Sequence, residues 1–246
     1  MIAGSTIFGR EEEVEHLRKR FAARSSFLFH GPAGVGKTLL LSLPSVEFPD
    51  VLYSPDNSTP QALHRNLAQL LLQARHPVFT HASPGGLPSL HTKTAIALKG
   101  LLREALSDSK YLVIADHLVR PSQALAASIR ELMVNWSVSV IAVSRSAHME
   151  DVGFVLPLFP DRAERFALRN FAPEIASRFA RGCAEREGLA AENLDQFLDR
   201  VVEYSDGNPG AMLQMIRMAS APQYSHGSHI KITPLYIDYK IAMVNQ

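Results

Sequence analysis

Ser26-Phe27-Leu28-Phe29-His30-Gly31-Pro32-Ala33-Gly34-Val35-Gly36-Lys37-Thr38-Leu39-Leu40-Leu41 is the stretch whose reading decides the fold. An apolar run short enough to be a buried strand feeds a turn with glycine at its first and sixth positions, and the turn opens into an apolar helical run. This is a complete phosphate-binding loop. Glycines at 31, 34 and 36 allow backbone angles closed to other residues, so that the N–H groups of Gly31, Ala33, Gly34, Val35 and Gly36 can converge on an anion. Lys37 is placed to reach β- and γ-phosphates, and Thr38 offers a hydroxyl to Mg²⁺. The helix that begins with Lys37, Thr38 and Leu39 directs its positive end at the same anion.

The chain has 246 residues, 46% of them hydrophobic, enough for one α/β core and a small appended domain. Lys plus Arg number 25 against 24 Asp plus Glu, so a net charge of +1 gives no general attraction to nucleic acid or anionic lipid. Cys183 is the only cysteine, which excludes an internal disulfide and a cysteine-rich zinc site. No apolar run approaches the ~18 residues of a membrane span, and Met1 to Thr6 lacks the pattern of a secretory leader. The expectation is a cytoplasmic protein with no membrane partner.

Working outward, Glu11 to Phe21 reads as a helix with Val14, Leu17 and Phe21 on one face, acids at its start and Arg18, Lys19 and Arg20 later. Val51-Leu52-Tyr53-Ser54 is a second strand, ended by Pro55-Asp56-Asn57-Ser58 turn chemistry. Thr59-Pro60 caps a helix with a stripe of Leu63, Leu67, Leu70 and Leu71. Residues 76–91 carry Pro77, Pro84, Gly85, Gly86 and Pro88 and read as a long exposed loop. Its His76, His81 and His91 have no metal-ligand spacing. A helix through Leu98, Leu101, Leu102 and Leu106 follows, ending near Ser107-Asp108-Ser109.

Tyr111-Leu112-Val113-Ile114-Ala115-Asp116 is an apolar strand ending in a carboxylate, as the metal side of a phosphate-loop site requires, because the acid must meet the Mg²⁺ shell at Thr38. His117 follows it, and an imidazole there could act as general base or could mark a slow hydrolase. Ser122 to Met133 is helical, with Trp136 behind it, and Ser137 to Val143 is another strand, which closes on Ser144-Arg145. Phe166 to Leu168 reads as a fifth strand. From Pro173 the texture changes to three amphipathic helices, with faces Ile175-Phe179-Cys183, Leu194-Phe197-Leu198-Val201-Val202 and Met212-Met215-Ile216-Ala219. Ile230-Lys231-Ile232 reads as a short strand, and Thr233-Pro234 as the cap of a last helix with Leu235, Tyr239, Ala242 and Val244 on its apolar side.

Phe8-Gly9-Arg10-Glu11, the phosphate loop, the Asp116 strand, the Ser144-Arg145 strand end and Gly207-Asn208-Pro209-Gly210 occur in one order that resembles the STAND ATPases and the related origin-recognition and archaeal ATPases of the AAA+ group. The resemblance implies that Gly9 and Arg10 lie against adenine and ribose, that Ser144 and Arg145 sense the γ-phosphate, and that Pro209 packs on adenine. It also implies an arginine finger in the region of Arg162 and Arg165. The Asp or Glu that the resembled families usually place after the strand carboxylate is here His117. The arginine that an AAA+ lid places near Gly210 is missing, which inclines the resemblance to the STAND side.

The expected fold is α/β: a parallel five-stranded P-loop NTPase sheet with helices on both faces, plus a small helical lid. The expected divisions are a core over 1–172, a lid over 173–220, and a tail over 221–246 that is too short for a winged helix and docks on the lid or a partner. The expected function is binding and slow hydrolysis of ATP at the β–γ bond with Mg²⁺, giving ADP and a nucleotide-dependent conformational switch. Lys37, Asp116, His117 and Arg145 are the catalytic candidates, and Thr38 and Asp116 the metal ligands. The expected partners are nucleotide and a protein partner or second copy. A DNA-associated AAA+ loader or transposition-type ATPase is the alternative, resting on the basic cluster Arg18, Lys19, Arg20 and Arg24.

Overall fold

In the computed structural model, residues 8–107 and 110–244 are described; Asp108 and Ser109, and the side chain of Val244, lie outside the described residues. The elements follow in chain order as α1 (Glu11–Ala22), β1 (Phe27–His30), α2 (Lys37–Glu47), β2 (Val51–Ser54), α3 (Pro60–Gln73), α4 (Pro77–Ala82), α5 (Leu87–His91), α6 (Ala95–Leu106), β3 (Leu112–Leu118), α7 (Gln123–Arg130), β4 (Ser139–Ser144), α8 (Met149–Val152), β5 (Arg165–Ala167), α9 (Pro173–Arg186), α10 (Leu194–Ser205), α11 (Pro209–Ala219), β6 (Ser225–His226), β7 (His229–Ile230) and α12 (Ile232–Val244). Contacts divide the chain into two units. One holds Glu12–Gly31 and Lys37–Leu168; the other holds the chain up to Glu11, the loop apex Pro32–Gly36 and Arg169–Gln246.

The first unit is the α/β core. Its five strands are all parallel, in the order β2-β3-β4-β1-β5. Parallel strands are covered on both faces, and Leu112–Asp116, Val140–Ser144 and Phe27–Phe29 are accordingly buried throughout. The register sets Phe27 beside Ile141 and His30 beside Ser144, so the loop that leaves β1 and the residues that end β4 emerge at one edge. Gly31 N donates to Ser144 O across that edge.

Residues 76–91 are not the exposed loop that their prolines and glycines suggest. Pro77 and Pro88 stand in the first turns of α4 and α5, where a missing N–H costs nothing, and Phe79 and Leu90 are buried in the core. The hydroxyls of Thr59, Thr94 and Ser122 cap α3, α6 and α7, each accepting from an amide three residues on. Beyond Arg130 the helix widens to a π-turn over Glu131–Asn135, which brings Trp136 into the core.

The second unit packs α9, α10 and α11 around Phe197, Val201, Met212, Met215 and Ile216. Its tail continues this core. The hairpin of β6 and β7 contributes Ile230, and α12 contributes Leu235 and Tyr239. Ile232 already belongs to α12, so the expected strand ends at Ile230 and the helix starts before Thr233. No helix among the described residues is long and apolar enough to cross a membrane.

Candidate functional site

The core brings Thr38 and Asp116 together from 78 residues apart. Thr38 Oγ1 donates to Asp116 Oδ2 at 2.9 Å. Asp116 is 1% exposed and accepts two further bonds, from the Tyr53 hydroxyl to Oδ2 at 2.6 Å and from the His117 N–H to Oδ1 at 2.7 Å. Its backbone carbonyl accepts from Asn57 Nδ2, which also donates to Ser54 O and ties the β2 turn to the end of β3. Sequence reasoning took Tyr53 for a strand residue and missed this role. The available signal was its place at the end of a strand parallel to the one that carries Asp116.

The donor set is a hydroxyl beside a buried carboxylate, all oxygen, as a hard divalent cation requires. Thr38 and Asp116 therefore fit Mg²⁺. On the loop, a Cβ built on Gly36 meets nothing within 4 Å, and the residue has φ of +102°, so the backbone there faces open space that a phosphate can enter. Lys37 Nζ donates to Gly31 O at 2.6 Å. Burial lowers the Lys37 pKa, with the Asp116 carboxylate acting to raise it and the Arg145 guanidinium to lower it further. His30 is pushed down as well, first by burial and then by Arg165, Lys37 and His148. Cationic groups thus crowd the end of β1 with an arrangement that an incoming anion would relieve.

His117 has φ of +56° and sits in a bulge where the β3–β4 register shifts between Ala115 and Leu118. The left-handed backbone turns its side chain outward, 66% exposed, with Nε2 still 3.8 Å from Asp116 Oδ2. Strained residues of this kind cluster at functional sites. Ser144 is buried and its hydroxyl donates to Ser146 O at 2.6 Å, so it supports the β4 turn. Arg145 beside it is exposed.

In the second unit, Arg10 is 5% exposed and turned inward. Its guanidinium donates to Arg169 O at 2.6 Å and stacks 4.3 Å from the centroid of Phe171. It braces the segment that leads into α9. Gly9 has φ of +67° and lies so close to Ile175 that a Cβ would come within 2.6 Å. The loop apex Pro32–Gly36 is in this unit together with Pro209, and Pro32, Ala33 and Gly34 are exposed while Val35 is buried. Arg165 is held by its own chain, Nε donating to Phe159 O at 2.8 Å.

The basic cluster near the start is occupied within the core. Arg18 pairs with Glu47, Lys19 with Glu15 and Arg24 with Asp50, and Arg20 donates to Ala163 O.

No protein-family model and no curated protein matches the chain. Solved structures do. A Walker-type ATPase of Pyrococcus abyssi superposes with a TM-score of 0.63 at 15% identity, over 97% of this chain and 74% of that one. The Thermotoga maritima RuvB Holliday junction branch migration motor superposes with a TM-score of 0.53 at 11% identity, over 94% of this chain and 69% of that one. A RuvB variant from the same organism gives 0.53 at 10% identity, over 96% and 69%. At these identities the likeness is one of fold: the five-stranded parallel sheet, its strand order and its flanking helices are those of the P-loop NTPase α/β fold.

Proposed function

With the P-loop ATPase fold as premise, we propose that the chain binds ATP with Mg²⁺, hydrolyses it slowly, and uses the difference between ATP and ADP as a conformational switch. The observation that carries this is the 2.9 Å bond from Thr38, in the first turn of α2, to Asp116 on β3, a pairing of the kind that a metal–nucleotide site needs. The open face of the loop at Gly36 and the cationic surroundings of Lys37 support the same reading.

In this mechanism the loop amides of Ala33 to Thr38 bind the phosphates and Lys37 leaves Gly31 O for a phosphate oxygen. Thr38 and Asp116 would hold Mg²⁺, which when bound would offset the negative charge of the phosphates. Leu39 continues the helix whose first turn presents the dipole to the anion. Arg145 is the candidate reader of the γ-phosphate, and Ser144 holds the strand end from which it projects. His117 is the candidate base for the attacking water, by virtue of its exposed ring beside Asp116. Gly9, Arg10 and Pro209 complete the proposed nucleotide-binding set, Arg10 by bracing the lid. We place the protein in the cytoplasm. A protein partner or second copy would receive the switch, and in the DNA-loader alternative the basic cluster would act with Arg18, Lys19 and Arg24 each beside a carboxylate.

The test is calorimetric titration of ATP and ADP with and without Mg²⁺, paired with phosphate-release measurements. Binding that vanishes in Lys37→Ala, with release above that control, is expected. Wild-type protein that binds no better than Lys37→Ala would overturn the assignment; binding without release would remove hydrolysis and leave the binding.

A further inference from the structure

The turn Gly207-Asn208-Pro209-Gly210 does more than stop one helix and start the next. Asn208 is 9% exposed, and its side-chain oxygen accepts from Ala211 N at 3.1 Å, the N-cap bond of α11. Its amide nitrogen faces the other way. Nδ2 donates to Ala33 O of the phosphate loop at 2.9 Å and to Asn170 Oδ1 at 3.2 Å. Two residues on, Gly210 N donates to Gly34 O at 3.0 Å. Two successive carbonyls of the loop apex are therefore held by one turn, all within the unit that contains both.

The fit leaves no space for side chains. A Cβ on Gly210 would stand 2.8 Å from both Gly34 Cα and Gly34 O, and one on Gly34 would stand 2.8 Å from Asn208 Oδ1. The turn is itself anchored. Gly207 has φ of +70°, a Cβ there would come 2.3 Å from Phe171 O, and Gly207 O accepts from Phe171 N at 2.9 Å.

An anion cradle needs its N–H groups turned in and its C=O groups turned out. Across a trans peptide the two point in opposite directions, so gripping Ala33 O and Gly34 O fixes the direction of the amides of Gly34 and Val35 and prevents either carbonyl from rotating toward a phosphate. We propose that Asn208 and Gly210 are positioning residues of the phosphate cradle, a clasp that holds the loop apex in its anion-binding conformation and ties the start of α11 to the state of the loop. This rests on the nucleotide-binding reading above. Because coupling between two sites is reciprocal, nucleotide in the loop strengthens the clasp to the same degree that the clasp strengthens nucleotide binding. An arginine at position 210 is incompatible with it, since even a Cβ collides with Gly34.

Asn208→Ser and Gly210→Ala separate the clasp from the lid's fold. Serine caps helices as well as asparagine and carries no charge, but it lacks the amide that reaches Ala33 O. Alanine in the first turn of α11 suits the helix and disturbs only the approach to Gly34. The experiment measures ATP and ADP affinity for wild type, Lys37→Ala and both variants, together with thermal midpoints without nucleotide and the exchange rate of the Gly210 amide with and without ADP. The clasp predicts affinity reduced about tenfold in each variant, the worth of one buried hydrogen bond, with helix content retained. It also predicts a Gly210 amide that ADP protects in wild type and not in Asn208→Ser. Variants that bind as tightly as wild type, or a Gly210 amide indifferent to ADP, overturn the clasp while leaving nucleotide binding intact. Wild type that binds no better than Lys37→Ala overturns both.

Discussion

Tyr53→Phe removes one oxygen from the site and keeps the ring that packs at the end of β2. The lost bond is the 2.6 Å contact to Asp116 Oδ2, which leaves that buried carboxylate with Thr38 and the His117 amide as donors. Burial, followed by the bond to Asp116, holds the Tyr53 pKa well above its ordinary value, so the phenol is the donor and the carboxylate carries the charge. A hydrogen bond to a charged group contributes about 1.5–3 kcal/mol. Tyr53 is only half-buried, so water can partly replace it and the lower end, about 1.5 kcal/mol, applies. In an Asp116→Asn background the same deletion removes a bond between neutral groups, about 0.5–1 kcal/mol. The coupling between the two positions is then about 0.5–1 kcal/mol. Urea unfolding followed by Trp136, the sole tryptophan and buried in the same unit, measures it. Coupling below about 0.3 kcal/mol, the level of independent sites, would refute the claim that Tyr53 acts through the Asp116 charge.

Two other predictions concern backbone strain and pH. His117 holds φ of +56°, a conformation that costs a non-glycine residue about 1 kcal/mol. His117→Gly should therefore be more stable than His117→Ala by about 1 kcal/mol in the same urea assay; equal stabilities would show that the bulge relaxes when the imidazole is removed. His30, His64 and His16 all have pKa values held below the ordinary value of about 6.5, in each case first by burial. The unfolded chain takes up these protons before the folded one, so stability is pH-independent with respect to these groups well above about pH 7 and declines as pH falls through 6.5 toward the depressed folded values. His30→Asn should flatten part of that decline between about pH 5 and 7, and an unchanged profile would remove His30 from the list of contributors.

Elements were legible wherever a signal is local. The apolar runs at Phe27–Phe29, Leu112–Ala115 and Val140–Val143 are strands because a parallel sheet buries both faces, and the hydroxyl before Pro60 is a cap because an orphan amide lies within one turn. The phosphate loop is itself a local signal, eight consecutive residues with the strand before and the helix after. Residues 76–91 were misread for the same reason in reverse. Proline and glycine report local backbone preference, and nothing local reports that Phe79 and Leu90 find a core to enter.

Asp116 could be named from its strand, and Thr38 from its loop, but their contact is decided by the packing of α2 against the sheet, which sets the two oxygens 2.9 Å apart. Tyr53 carries no motif; it joins the site because β2 lies beside β3 with Tyr53 opposite Ile114. The resemblance sets Arg10 against the nucleotide, and its contacts with Arg169 O and the Phe171 ring follow from the space around it in the folded unit. The amino-acid sequence by itself determined a phosphate-binding loop, five strands, a helical lid and their order along the chain, since each is written in spacings of a few residues. Only the tertiary structure decided which hydroxyl orients the buried carboxylate and which turn grips the loop. Those pairs are separated by 63 residues for Tyr53 and Asp116 and 175 for Ala33 and Asn208, and no local preference reaches that far.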